Sequence, residues 1–459
     1  MSETAFSSFL VAIWASAGGA PAAADRMTQT GTGSLPSVFP VTDLAAASVG
    51  AAGLAAAELI ACRHGTWPES TVDRRFASLW FGAGIVPEGW TLPPAWDAIA
   101  GDYETADGWI RLHTNAPHHR AAALAVLGVP EDKKAVSSAV ARWTKDALED
   151  AVVAQGGCAA AMRGLAAWAA HDQGRAVAAE PLVWREPADA VPPPDWPIPR
   201  DRPLRGIKVL DLTRVLAGPV ATRFLAGFGA EVLRIDPPGW DEPGVVPSVT
   251  LGKRTARLDL RTAEGRTVFE RLLAGADILV HGYRSDALDR LGLGQDRRRA
   301  IRPGLIDVAL DAYGWSGPWR TRRGFDSLVQ MSSGIADAGM RRLGKDRPHP
   351  LPVQALDHAC GYAMATAALR GLTTRLETGR GGSARLSLAR IAALLTGEVA
   401  TDDTTSLAPE TPADLDPAIE ATAWGPARRI EAPVRVEGAT LRWDLPAGPL
   451  GAGPAVWQR

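Results

Sequence analysis

The sequence predicts an α/β protein: a doubly wound, Rossmann-like parallel sheet in the second half of the chain, with a small α+β domain ahead of it. Three observations carry this expectation. Beyond residue 205, apolar runs of strand length alternate with stretches at helical spacing. A segment with five prolines divides the chain near residue 200. Before that segment, a hairpin signal precedes a series of helical patterns.

The sheet begins with the apolar run 207–212, followed by a helix over 219–228 and a second strand over 231–236, which together make a βαβ unit. Thr262 is placed to cap a helix carrying Val268, Phe269 and Leu272 on one face, and that helix leads to a strand over 277–280. Residues 305–310 supply a further strand. Strands separated by helices in this way imply parallel pairing. Upstream, Asp107-Gly108 marks a turn within 103–113, and helical patterns fill 121–178. The stretch Val191-Pro-Pro-Pro-Asp-Trp-Pro-Ile-Pro is an extended spacer. The expected layout is a helical segment over 1–100, a small α+β domain over 101–190, a linker over 191–204, a large domain over 205–400 and a tail over 401–459 that returns to the large domain.

Composition narrows the function classes. The 459 residues are 46% hydrophobic with a net charge of -2, and nothing in that balance suggests nucleic acid as a partner. Residues 1–200 hold 14 Lys+Arg against 21 Asp+Glu, leaving 35 against 30 beyond, so an anionic ligand is expected in the C-terminal part. Cys62, Cys158 and Cys360 are too dispersed for a zinc site or a disulfide framework, and a reducing cytoplasm is expected. The apolar stretch 9–15 follows Glu3 rather than a basic residue, so it reads as a mature helix rather than a leader. No transmembrane span is expected.

Asp357 is the candidate for chemistry. It follows Pro350-Leu-Pro-Val-Gln-Ala-Leu and precedes an Ala/Leu-rich run over 362–372 that reads as a buried helix. Its position suggests a helix N-cap whose free amides and dipole hold the carboxylate ionised. The residues leave open a structural cap or a nucleophile. A second copy of the pattern stands at Pro40-Val-Thr-Asp43, again followed by an Ala/Leu helix, which points to an internal repeat or to a coincidence between Ala-rich helices.

Five motifs in the second half resemble the class III CoA-transferase family, which includes formyl-CoA and carnitinyl-CoA transferases and is related to the α-methylacyl-CoA racemases. They are Gly206-Ile-Lys-Val-Leu-Asp-Leu-Thr-Arg-Val-Leu-Ala-Gly-Pro219, Gly229-Ala-Glu-Val-Leu-Arg-Ile-Asp-Pro-Pro238, Gly252-Lys-Arg-Thr-Ala-Arg-Leu-Asp-Leu260, Ala287-Leu-Asp-Arg-Leu-Gly292 and Gly324-Phe-Asp-Ser-Leu-Val-Gln330. The resemblance implies the class III CoA-transferase fold and makes Asp357, four residues before Gly361, the nucleophile. Asp43 has Ala47 at the matching place and reads as structural. The order of the segments departs from the family's, as if rearranged or partly duplicated.

The resemblance also implies which residues meet CoA: Arg214, Val215 and Ala217 after the first strand, Arg290 and Leu291 beside the adenine and phosphates, and Arg323 near the phosphates. Lys253 and Arg254 resemble a further phosphate-facing pair, or are surface charge. The implied activity is acyl-CoA:carboxylate CoA transfer through aspartyl anhydride and aspartyl-CoA intermediates, with CoA as substrate and no metal or redox cofactor. The glycine-rich turn 379–382 is a candidate source of oxyanion donors. Two alternatives remain: a 2-methylacyl-CoA racemase, whose Gly-His-Asp imidazole is replaced here by Phe325, and an inactive CoA-binding subunit. By resemblance, the expected partners are an acyl-CoA donor, a small carboxylic acid and a second copy of the chain. In that homodimer, residues 100–180 of one protomer close over Asp357 of the other.

Overall fold

The computed structural model describes residues 4–82, 84–398 and 405–458, so the expected boundary near residue 400 lies outside the described residues. Its centre is a seven-stranded sheet in the order Lys253–Arg257, Glu231–Asp236, Lys208–Leu212, Ile278–His281, Ile306–Asp311, Arg380–Ser387 and Trp184–Ala190. The first six strands are parallel, and the last is an antiparallel edge. The chain starts at Lys208–Leu212, winds outward in one direction to Lys253–Arg257 and then returns to wind in the other. The order therefore reverses beside Lys208–Leu212 and Ile278–His281, where open α/β sheets form a ligand crevice at the strands' carboxyl ends.

Local sequence accounts for the elements. Thr262 Oγ1 accepts the Gly265 amide at 3.0 Å and opens the helix Ala263–Ala274, as its side chain suggested. Gly101–Thr105 and Gly108–Leu112 pair antiparallel across a tight turn, and Ala159–Ala161 adds a third strand. Residues 191–199 carry no regular structure, as their prolines require.

A second, smaller sheet repeats one side of the first. Met27–Thr30 pairs parallel with Ser70–Asp73, and Val434–Val436 pairs antiparallel with the latter. In the large sheet, Ile306–Asp311, Arg380–Ser387 and Trp184–Ala190 stand in the same relation. Each parallel pair is bridged by a 24-residue helix, Val41–His64 in one case and Ala355–Thr378 in the other. Both helices end on a left-handed glycine, Gly65 and Gly379, and they pack against each other. Asp43 and Asp357 are each the third residue of their helix. In both units the antiparallel edge strand comes from the other part of the chain.

The helix Val41–His64 meets the length and composition needed to cross a membrane, with a mean hydropathy of 1.7, contrary to the expectation that no such segment exists. Of that apolar window, 89% is buried inside the protein, where its alanines allow close packing against Ala355–Thr378.

Candidate active site

Asp357 lies in the first turn of Ala355–Thr378 but does not cap it. Gln354 holds the N-cap position, and no side chain caps the helix there. Four residues on, Gly361 lets the helix press against Ala217–Gly227: a Cβ added at Gly361 would stand 2.4 Å from the Ala217 carbonyl oxygen. The Asp-to-Gly spacing therefore sets helix packing, which fixes Asp357 beside the loop after Lys208–Leu212. The matching Ala47 is buried in the other helix, and Asp43 there faces Arg74 at 3.5 Å.

The expectation of an ionised Asp357 is corrected by its surroundings. The Asp357 amide donates to Asp326 Oδ2 at 2.9 Å, bringing two carboxyls together at 8% and 1% exposure. Burial raises the pKa of Asp326 to about 6, although the Asp357 and Leu356 amides and Gln330 donate to it. Burial, followed by the Asp326 charge, raises that of Asp357 well above the ordinary range. The helix terminus does not compensate, because the amide of Asp357 serves Asp326 instead.

Two cavities meet at Asp357, sharing Val215, Trp240 and Phe325 in their walls. One, of about 330 Å³, is lined by Arg214, Arg284, Arg320, Arg322 and Arg323, with His118 and His119 from the small domain. Arg322 is committed to Glu149 at 2.8 Å. Among the described residues, Arg214, Arg284, Arg320 and Arg323 form no ion pair with a carboxylate within 4.0 Å. Arg214 instead lies over the rings of Trp240 and Tyr283, at 4.5 and 5.0 Å. This cavity continues through Arg214, Tyr283 and Arg284 into a third, where Arg290 and Leu291 line the wall. The other cavity at Asp357, of about 320 Å³, has aromatic and aliphatic walls from Trp96, Trp240, Phe325, Leu216 and Val245.

Val215 has φ 62, a left-handed conformation costly for a β-branched residue. Its amide donates to Glu242 Oε2 at 2.9 Å, and Glu242 is itself held by Arg234 and by Trp240 Nε1 at 3.0 Å. This tether turns the backbone at the head of Ala217–Gly227 towards Asp357.

Arg214, Val215, Ala217, Arg290, Leu291 and Arg323 thus line the connected cavities, with Asp357 at the junction. Lys253 and Arg254 do not. Lys253 is buried, its Nζ 3.1 Å from Asp211 and 2.9 Å from the Pro219 carbonyl, and burial lowers its pKa to about 8. It neutralises a charge beneath the sheet's edge, where a phosphate has no access. Arg254 bonds Glu231 at 3.5 Å and the Val456 carbonyl at 2.8 Å, a surface tie to the C-terminal tail. The turn 379–382 lies beyond the opposite end of the 24-residue helix, about 33 Å from Asp357 at 1.5 Å per residue, and supplies no donor to it.

Sequence reasoning missed Asp326, Trp96, His113, Trp240, Glu242 and Arg284. Asp326 stood within a quoted motif, but nothing local shows that its carboxyl receives an amide 31 residues away. Trp96 and Asp97, with His113 and Arg120 of the small domain, line the apolar-walled cavity in the same chain as Asp357. The linker leads the chain back over its own sheet, where Arg202 is fixed to the Gly227 carbonyl at 2.9 Å.

Residues 204–422 match CoA-transferase family III. Over 192 residues the chain is 34% identical to a probable fatty acyl-CoA transferase of Mycobacterium tuberculosis, covering 39% of this chain and 48% of that protein. It is 33% identical over 195 residues to the succinyl-CoA–D-citramalate CoA-transferase of Chloroflexus aurantiacus, with the same coverage of 39% and 48%. It is 32% identical over 201 residues to the formyl-CoA:oxalate CoA-transferase of Escherichia coli, covering 40% and 47%. The chain spans about half the length of these relatives.

Proposed function

We propose, from the match of residues 204–422 to CoA-transferase family III, that this chain is an acyl-CoA:carboxylate CoA-transferase with Asp357 as its nucleophile. The observation that carries this reading is the position of Asp357 between a cavity with four arginines that pair with no carboxylate among the described residues and one with aromatic and aliphatic walls. CoA is an anion at its nucleotide end and a thioester at the other, so guanidinium donors belong on one side of the nucleophile and the acyl group on the other.

The Asp357 carboxylate attacks the thioester carbonyl, and the tetrahedral intermediate expels CoA thiolate to leave a mixed anhydride. The thiolate attacks the aspartyl carbonyl, releases the donor's carboxylate and forms an aspartyl-CoA thioester. The acceptor carboxylate attacks that carbonyl in turn, giving a new anhydride and thiolate. Thiolate attack on the acceptor's acyl carbon then yields the new acyl-CoA and restores the Asp357 carboxylate. The sequence conserves one thiolate throughout and needs no outside oxidant or proton donor. Asp357 must enter it ionised, so its raised pKa delays the first attack until the proton has left.

Incubation with acyl-CoAs followed by intact-mass measurement tests the reading. A CoA adduct, less one water, is expected on the wild type and absent from Asp357→Asn. No adduct on the wild type would favour an inactive CoA-binding subunit. For a racemase the α-proton must move between two bases, yet Phe325 occupies the imidazole's place. His113, stacked on Phe325 at 3.7 Å between ring centroids, is held neutral with a pKa lowered to about 3, which makes it a weak base. Deuterium incorporation at the α-carbon of a 2-methylacyl-CoA at a catalytic rate would reverse that ranking.

A further inference from the structure

The chamber beyond Asp357 lacks what the arginine-lined cavity has in excess. Its ionisable lining consists of Asp97, Asp241, Glu242, Asp326 and Asp357 with Arg120 and His113. Arg120 is committed: it is ion-paired with Asp97 and stands 3.3 Å from Glu131. Thr114 and the Ile99 amide also donate to Asp97, fixing that pair in the wall. Arg111, whose guanidinium lies 4.7 Å from the Trp96 ring centroid, is bound to Asp102 at 2.7 Å. Burial, with Arg111 and His119 nearby, lowers the His113 pKa to about 3, so that ring brings no positive charge.

We infer that this chamber selects the acyl group of an apolar monocarboxylic acid and rejects dicarboxylates; the inference rests on the CoA-transfer reading. A second carboxylate on the substrate would enter a space of about 320 Å³ facing Asp97, Asp241 and Glu242, with no uncommitted cation among the described lining residues. Such a charge loses its water and gains no cationic partner, only neutral donors such as Ser327 and Gln354. Methylenes, in contrast, exchange water for Trp96, Trp240, Phe325, Leu216 and Val245, and each one fully buried tightens binding roughly fourfold. Trp96, at 38% exposure, is the wall that a longer chain would cover further.

Calorimetry on the Asp357→Asn variant, which keeps the side chain's shape and cannot react, compares free CoA with acetyl-, hexanoyl- and succinyl-CoA. Hexanoyl-CoA should bind at least about 10-fold tighter than acetyl-CoA, since four added methylenes enter the chamber. Succinyl-CoA should bind no tighter than acetyl-CoA. Wild-type kcat/KM values should fall in the same order, which guards against an effect of the substitution. Hexanoyl-CoA no tighter than acetyl-CoA, or succinyl-CoA as tight as hexanoyl-CoA, overturns the inference while intact binding of free CoA leaves the transfer reading standing. If free CoA and all three thioesters fail to bind a variant whose circular dichroism is that of the wild type, the transfer reading falls and takes this inference with it.

Discussion

Asp357→Asn should make the protein more stable at alkaline pH while removing its chemistry. Burial raises the Asp326 pKa from 3.8 to about 6, which corresponds to about 3 kcal/mol held against the ionised folded state. A carboxyl raised in the folded state contributes its full stability below the unfolded pKa and loses it as the pH climbs through the folded one. Wild type should therefore lose about 3 kcal/mol through Asp326 as the pH rises from about 4 to about 7. It should lose more through Asp357, which burial and the Asp326 charge displace in the same direction. The amide variant has no charge at 357 to desolvate. Its unfolding free energy should match the wild type near pH 4 and exceed it at pH 8.5, because only the wild type must ionise a buried carboxyl at 357, while the Asp326 loss is common to both. Urea titrations at several pH values measure the difference, and transfer should fall by roughly four orders of magnitude or more in the same variant. A variant less stable than wild type at pH 8.5, or a difference flat with pH, would refute the argument that two crowded carboxyls set the energetics here.

In the proposed mechanism the reactive form is the carboxylate, so wild-type kcat/KM should rise with pH through a range above that of an ordinary aspartate; a limb near pH 4 would show that Asp357 in the free enzyme is not raised. Arg323→Ala should weaken CoA binding roughly 10-fold or more, the loss of one charge-assisted contact, whereas Arg290→Ala should cost only a few-fold because its side chain is 69% exposed and paired with Asp286. Lys253→Met leaves Asp211 buried without its partner and should destabilise the fold by about 3–5 kcal/mol, with the CoA affinity of the folded fraction nearly unchanged. A selective loss of CoA binding in that variant would return Lys253 to the phosphates. Residues of the chain that carries Asp357 line both cavities, so specific activity is expected to hold on dilution; a decline that follows a dimer–monomer transition would favour a shared site.

The parallel sheet was legible because each strand is a short apolar run between helical stretches, and Thr262 and the turn near Asp107 mark their own elements. The antiparallel edge Trp184–Ala190 was not. It contains Pro187, alternates half-buried and exposed residues, and takes its hydrogen bonds from a strand far along the chain. Val434–Val436 is hidden in the same way, three residues paired with Ser70–Asp73. At the candidate site, motif spacing singled out Asp357, Arg214 and Arg323, which line one cavity, but not Arg284, Arg320 or Arg322. It did not reveal the electrostatics, because Asp326 approaches Asp357 only when two helices converge. Lys253 misled for a related reason: a lysine next to an arginine looks exposed until the sheet places Asp211 beneath it.

The two exchanged edge strands have a mechanical consequence. Trp184–Ala190 leaves the first half of the chain to close the sheet of the second, and Val434–Val436 leaves the second to close the sheet of the first. The halves are thus clasped, as two hands hold each other's wrists. Neither can loosen without unzipping a border of the other, so heat or denaturant should meet one obstacle rather than two. A protease cut in the proline-rich stretch between them would sever the covalent thread and leave the grip.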